Sequence, residues 1–384
     1  MTDLDRSQQE ILKAARDFAK GEFDRDQALE LERDGIFPAK IWAKAGELGF
    51  IGLHLPETYG GGGLGFFEAA LVTEAFCRQE STTGCALLLA GFGAECLWRS
   101  GGEALKARYL PAVAQARLRT AAAFSEPGVG SGFSSLQTTA RREGDAWIIN
   151  GLKAHVLNAA HADLFIVLCR TDDDQRSMIA VERNSAGLTL EDQGRRLGAN
   201  MTGSAQVRFS DVRAPVDHIV GRSGQGAALL THFNDDAAVL LSAAATGIAA
   251  GALDRAQAYV KERAAFGRKI GAFEIIRHNI ADMAAQVESA RAIVRQAARR
   301  HDAGKSGTLA AVAKLVADRA AVAVADQAVQ LYGGYGYMRE SEVERFYRDA
   351  KALQLMLGGP GAMKNKIAEA TIGRKTGKEE SKKV

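Results

Sequence analysis

Apolar residues recur at intervals of three and four over Ile11–Phe18, Ile41–Leu48, Phe67–Cys77 and Ala104–Leu110, a spacing that predicts amphipathic helices. The segment Glu57-Thr-Tyr-Gly-Gly-Gly-Gly-Leu-Gly65 interrupts them, and Pro111 marks a kink or a new helix start. Beyond residue 118 the pattern changes. Ala146–Ile149, Leu164–Leu168, Met178–Val181, Leu188–Leu190 and Ala205–Phe209 are short β-rich runs between Gly, Asn and Asp turns. Their regular spacing predicts an antiparallel sheet or a small barrel. From about residue 223 the helical period returns. Ala237–Phe266, Phe273–Arg300, Thr308–Tyr332 and a shorter pair after Ser341 predict a bundle of long helices. The chain thus divides at 1–118, 119–222 and 223–384: a helical domain, a β domain and a helical bundle, an α+β fold. The charged tail Arg374–Val384 is expected to fray.

Charge and cysteine content narrow the function classes. A net charge of +3 is too small to make nucleic acid the main partner. The four cysteines form no CxxC pair, so neither a disulfide framework nor a metal site is expected, and a reducing, cytoplasmic setting is. The polar N-terminus shows no signal-peptide pattern. The longest uncharged run, Ala237–Leu253, is rich in Ala and Gly. It predicts a helix packed tightly among others, without membrane insertion.

The chemistry concentrates in Phe124-Ser-Glu-Pro-Gly-Val-Gly-Ser131. Glycines let a backbone approach a ligand and turn its N–H groups inward, and serine hydroxyls can donate to anionic oxygens. By composition alone, such a stretch is more often a plain turn. Five companions change that: Leu48–Leu64 with its LGFIGLHLPETYGGGGL sequence, Ile149–Lys153, Phe209–Pro215, Tyr259–Gly267 and Gln330–Tyr337 followed by Arg348-Asp-Ala350. In this order, the six motifs resemble the acyl-CoA dehydrogenase superfamily over nearly the whole chain.

The resemblance implies three parts: an N-terminal helical domain, a middle antiparallel β-barrel or sandwich and a C-terminal four-helix bundle. It implies a tetramer, of one chain or with a paralogue, with FAD at a subunit interface. The substrate would be an acyl-CoA or acyl-carrier-protein thioester, and the electron acceptor an electron-transfer flavoprotein or similar protein. The loop with Phe124, Ser125, Gly130 and Ser131 would hold one side of the flavin. Ser125 would reach the pyrimidine edge, and Ser131 the pyrophosphate and the substrate. Arg263, Phe266, Gln330 and Gly334 would close the diphosphate and adenosine end from a neighbouring subunit. Asp235 falls where relatives often carry an aspartate near the pantetheine chain.

The chain departs from this pattern where the chemistry should occur. Leu357 stands at the usual position of the glutamate that removes the substrate α-proton. Ala237 stands at the alternative position, with Ala238 in place of the adjoining arginine. Asp236, one residue along, turns about 100° away on a helix and can be the base only if the helix start is shifted. The commoner role of such a residue is a carboxylate that favours the helix dipole. His155 and Leu157 replace a tryptophan and a threonine beside the flavin, and His155 is large enough to shield a ring. Glu274 adds negative charge where the diphosphate should lie, unfavourable unless Arg277 or Arg263 pairs with it. Three readings follow: an acyl-thioester oxidoreductase with a relocated or dispensable base, a half-site subunit of a hetero-oligomer, and a flavin-dependent monooxygenase.

Overall fold

The computed structural model describes residues 4–129, 135–171 and 175–373. The N-terminal part is seven helices: α1 (Arg6–Glu22), α2 (Arg25–Asp34), α3 (Ala39–Glu47), α4 (Phe66–Gln79), α5 (Ser81–Leu89), α6 (Ala94–Ser100) and α7 (Glu103–Ala114), the last running through Pro111 without a break. Asp5 and Gln8 close a capping box that starts α1. Phe18, Phe23, Phe50 and Phe76 cluster with ring centroids 5.2–5.9 Å apart.

Eight strands follow: β1 (Thr120–Ala123), β2 (Thr139–Glu143), β3 (Ala146–Val156), β4 (Leu164–Thr171), β5 (Arg176–Glu182), β6 (Leu188–Asp192), β7 (Ala205–Pro215) and β8 (Ile219–Val220). They form one sheet in the order β6-β7-β3-β2-β4-β5-β8, with β1 also on β4. The all-antiparallel expectation is corrected here: β1 and β2 both pair with β4 in parallel. β5 covers Leu164–Arg170 on one edge of β4. β1 therefore shares the other edge with β2, Thr120–Ala123 opposite Leu164–Val167 and Thr139–Ala140 opposite Arg170–Thr171. The segment between them leaves one edge of β4 and returns to it three residues further on, so the sheet fixes both ends of the Ser-Glu-Pro-Gly loop.

The C-terminal part holds α8 (Gly226–Glu262), a small hairpin of β9 (Ala264–Ala265) and β10 (Arg268–Lys269), α9 (Glu274–Asp302), α10 (Leu309–Tyr332), α11 (Val343–Leu355) and α12 (Gly359–Ile372). The predicted tail at Arg374–Val384 lies outside the described residues. At 1.5 Å per residue, the 37 residues of α8 span about 55 Å. By length and composition α8 passes for a membrane helix, yet its most apolar window is wholly buried inside the fold. Its small residues let α4 cross at backbone contact. A Cβ on Gly247 would sit 2.4 Å from the Glu74 carbonyl oxygen, and one on Gly251 2.4 Å from that of Arg78.

Candidate functional site

The loop leaving β1 is held by a buried ion pair. Lys153 on β3 and Glu126 in the loop are both almost fully buried, 2.8 Å apart. Glu126 Oε1 also accepts from the Thr138 backbone N–H at 2.9 Å, and Oε2 from that of Gln137 at 2.6 Å. Lys153 Nζ donates to the Phe124 carbonyl at 3.2 Å, and Ala154 N–H to the Ser125 carbonyl at 2.9 Å. Burial raises the Glu126 carboxyl, but the hydrogen bonds from Lys153 and Thr138 outweigh it and hold the group below its ordinary value. Burial draws the Lys153 ammonium down against the opposing pull of Glu126. Both carboxylate oxygens of Glu126 accept hydrogen bonds and Lys153 Nζ makes two, the condition under which a buried charge is tolerated. With the backbone pinned, the Ser125 side chain faces outward. Gly130 and Ser131 lie outside the described residues.

Phe124 turns inward and meets Phe233 of α8 edge-on at 5.1 Å, and Phe233 meets Phe92 of the α5–α6 turn at 5.8 Å. The β domain, α8 and the N-terminal helices thus converge on one aromatic file. The neighbouring end of β3 is irregular. Its register with β7 shifts between Lys153 and Val156, and His155 and Asn158 have φ of 53° and 62°. Such a bulge re-aims side chains and is common beside active sites. His155 is exposed, its backbone N–H on Gln193 Oε1 at 3.2 Å. Leu157 is half-buried against the main core. Asn158 Nδ2 donates to the Thr120 carbonyl at 3.0 Å, fixing this turn to β1.

The remaining cofactor candidates gather at the tip of the bundle. Arg263 and Gly334 line an open groove of about 610 Å3 together with Tyr259, Tyr332, Tyr335 and Met338. The Arg263 guanidinium lies 5.9 Å from the Tyr335 ring centroid. Gln330 is exposed near the end of α10, and a Cβ on Gly334 would meet only open space. Phe266 stands 95% exposed at φ 51° and touches Phe273 edge-on. Glu274 is paired with neither Arg277 nor Arg263: its partner is His278, 3.7 Å away on the next turn. Its place in the first turn of α9 favours a negative charge through the helix dipole. No hydrogen bond, ion pair or ring contact joins this set to Phe124, Ser125, His155 or Leu157 among the described residues.

The base candidates are placed clearly. Leu357 is half-buried in the turn between α11 and α12, with φ 55° and ψ 32°. Ala237 and Ala238 are buried on α8. Asp235 is ion-paired with Lys366 of α12. Asp236 is 1% exposed and held from two sides, by Arg99 of α6 through two hydrogen bonds of 2.7 Å and by His301 of α9 at 2.7 Å. Burial pushes its carboxyl up, but His301 and Arg99 outweigh that and lower its pKa. This geometry speaks against Asp236 as the relocated base, because both oxygens are engaged by Arg99 and His301. Its position serves instead to tie three helices together.

Glu126, Lys153, Arg99 and His301 had no role assigned from sequence. Glu126 and Lys153 lie inside two of the quoted motifs, which was the available signal; nothing in the chain marks Arg99 and His301 as partners.

Comparison with known proteins completes the picture. Sequence models of the acyl-CoA dehydrogenase N-terminal, middle and C-terminal domains match residues 5–117, 121–212 and 224–372. A probable acyl-CoA dehydrogenase of Bacillus subtilis (strain 168), YngJ, is 34% identical over 360 residues, which cover 92% of this chain and 94% of that protein. The glutaryl-coenzyme A dehydrogenase structure with glutaryl-CoA superposes with a TM-score of 0.93 at 31% identity, over 98% of each chain. PigA with FAD and proline gives a TM-score of 0.93 at 27% identity, over 97% of this chain and all of that one.

Proposed function

The chain belongs to the acyl-CoA dehydrogenase family, and on that footing we propose that it is an FAD-dependent oxidoreductase acting on an acyl thioester of coenzyme A or a carrier protein. The observation that carries this most directly is the Glu126–Lys153 clamp, which spends two buried charges on holding the Phe124–Ser125 backbone with the serine outward. Bound FAD would supply hydride acceptance from the substrate's β-carbon. Ser125 would donate to its pyrimidine edge, and the His155 ring would shield it, while Leu157 offers no side-chain donor. At the bundle tip, Arg263 would pair with the diphosphate of a neighbouring subunit's flavin, as a guanidinium suits two phosphates. Gly334 would let the adenosine end approach, and Gln330 would hydrogen-bond to it. Asp235 would face the pantetheine arm on exchanging its lysine partner.

The α-proton has no acceptor at Leu357 or Ala237, and Asp236 is tied. We therefore assign a reaction in which the proton leaves to a group elsewhere, or in which another substituent, such as a carboxylate, leaves in its place. Phe266, Tyr335 and Tyr337, exposed together on the tip, favour assembly as a tetramer, with copies of this chain or with a paralogue that completes the site. An electron-transfer flavoprotein or similar acceptor would reoxidise the enzyme in the cytoplasm, where the four buried, unpaired cysteines would stay reduced. Purification tests the proposal. The protein should show the visible flavin bands with about one FAD per chain; a colourless protein that takes up no added FAD, alone or with a paralogue, overturns it.

A further inference from the structure

The α5–α6 turn that carries Phe92 to Phe233 also lines a second cavity, through Gly91 and Ala94. Its volume is about 80 Å3, several times the roughly 10–15 Å3 that one water requires. Val72, Phe76, Leu87, Leu88 and Leu240 make most of the lining apolar. Leu240 lies seven residues from Phe233 on α8, two turns along the same face, about 10 Å away. The cavity thus meets, at Leu240, the same helix face that carries Phe233 of the aromatic file.

One side of this cavity is polar, formed by His54 and Glu95. Glu95 is 5% exposed, and its Oε2 accepts from the Gly93 backbone N–H at 3.2 Å. Oε1 faces His54 Nε2 at 3.4 Å. The two are not aligned: Nε2 is buried and makes no hydrogen bond. The imidazole is seated against Phe66 and Trp98, with centroids 4.8 and 6.0 Å away. A buried ring nitrogen left without a partner is costly unless a third group supplies one. Because Nε2 faces a carboxylate oxygen, the ring is assigned the tautomer with its hydrogen on Nε2; a hydroxyl then meets both needs, since its oxygen accepts from Nε2–H while its hydrogen goes to Oε1. A protonated amine could donate to Glu95 but would leave Nε2–H unmet, and a methyl group would leave both unmet.

We infer that this cavity is the far end of the substrate site and that it receives a hydroxyl borne by the acyl chain, making hydroxyacyl thioesters the preferred substrate class. The inference rests on the acyl-thioester reading above. It is tested by calorimetric titration of the full-length, flavin-loaded protein. The probes are a graded series of saturated acyl chains, each with and without a hydroxyl at its far end, presented on coenzyme A and on pantetheine. At one chain length the hydroxyl should tighten binding by ~10-fold or more, the scale of a hydrogen bond to a charged group. Glu95→Gln, which keeps the shape, and His54→Leu should each bring that ratio below about threefold. Because the readout is a ratio within one protein, a general loss of folding does not reproduce it. A ratio near one at every length, with the unsubstituted esters still binding, overturns the inference and leaves the acyl-thioester reading standing, and the pair is then bridged by water. A preference that survives both substitutions also overturns it. If no thioester binds at all, both fall.

Discussion

At the mouth of the β domain, two opposite charges are buried together and every contact is internal. At the tip of the bundle, Phe266 is 95% and Tyr337 87% exposed, and Arg263 faces solvent over a tyrosine ring. Both regions carry motif residues expected to meet the same cofactor. The first is complete within one chain and rigid by construction. The second is an open surface that, on the proposed reading, would gain its partners from outside. The contrast separates two kinds of candidate residue: Lys153 and Glu126 hold the backbone they bond to, whereas Arg263, Phe266 and Gln330 would act only with something placed against them. Their substitutions should therefore fail differently.

Lys153→Met should be the most damaging change on either side of the comparison. It leaves Glu126 buried without a counter-charge, which costs roughly 3–5 kcal/mol. Urea unfolding should show that loss, with flavin lost in parallel. Asp236→Asn comes next, at about 2 kcal/mol, because Arg99 is partly exposed and the amide keeps some of the hydrogen bonds. Reduction of bound flavin by substrate should nevertheless survive it; abolition of that step in a folded Asp236→Asn protein would restore Asp236 as the base. The pH dependence sharpens the same point. The carboxyls of Glu126 and Asp236 are both held below their ordinary values. Their stabilisation is thus present above the unfolded carboxylate range and is lost as pH falls below about 4. Melting temperatures of the wild type and Asp236→Asn should converge below that pH. At the tip, Arg263→Ala should change stability by only ~0.5 kcal/mol or less, while FAD is lost on dialysis. Phe266→Ser should lower the oligomeric state in sedimentation with as little effect on the folded subunit.

The long helices were legible because their apolar spacing is sustained over several turns, as in Phe273–Arg300 against the observed Glu274–Asp302. β1 was not, because Thr-Ala-Ala-Ala has little strand preference of its own and is set by its neighbour β4. Motif order placed Ser125 and Arg263 in a cofactor context, but it said nothing of which side chains are covered. Phe266 by its type belongs in a core and instead stands on the surface. Asp236 was read from its place in a helix, whereas its state is fixed by Arg99, 137 residues away. Partners at that separation leave no local pattern. Glu126 and Lys153 lie inside two of the motifs, yet their charges alone suggest solvent and their pairing 27 residues apart is visible only in the fold.

The central claim is that this chain passes electrons from an acyl thioester to flavin without a carboxylate at residue 357, 237 or 236. Anaerobic titration of the flavin-loaded protein with a panel of acyl-CoA and acyl-pantetheine thioesters tests it most directly. The account predicts that at least one thioester bleaches the visible flavin band, in the wild type and in Asp236→Asn alike. A flavin that light reduces readily but that no thioester bleaches would contradict it.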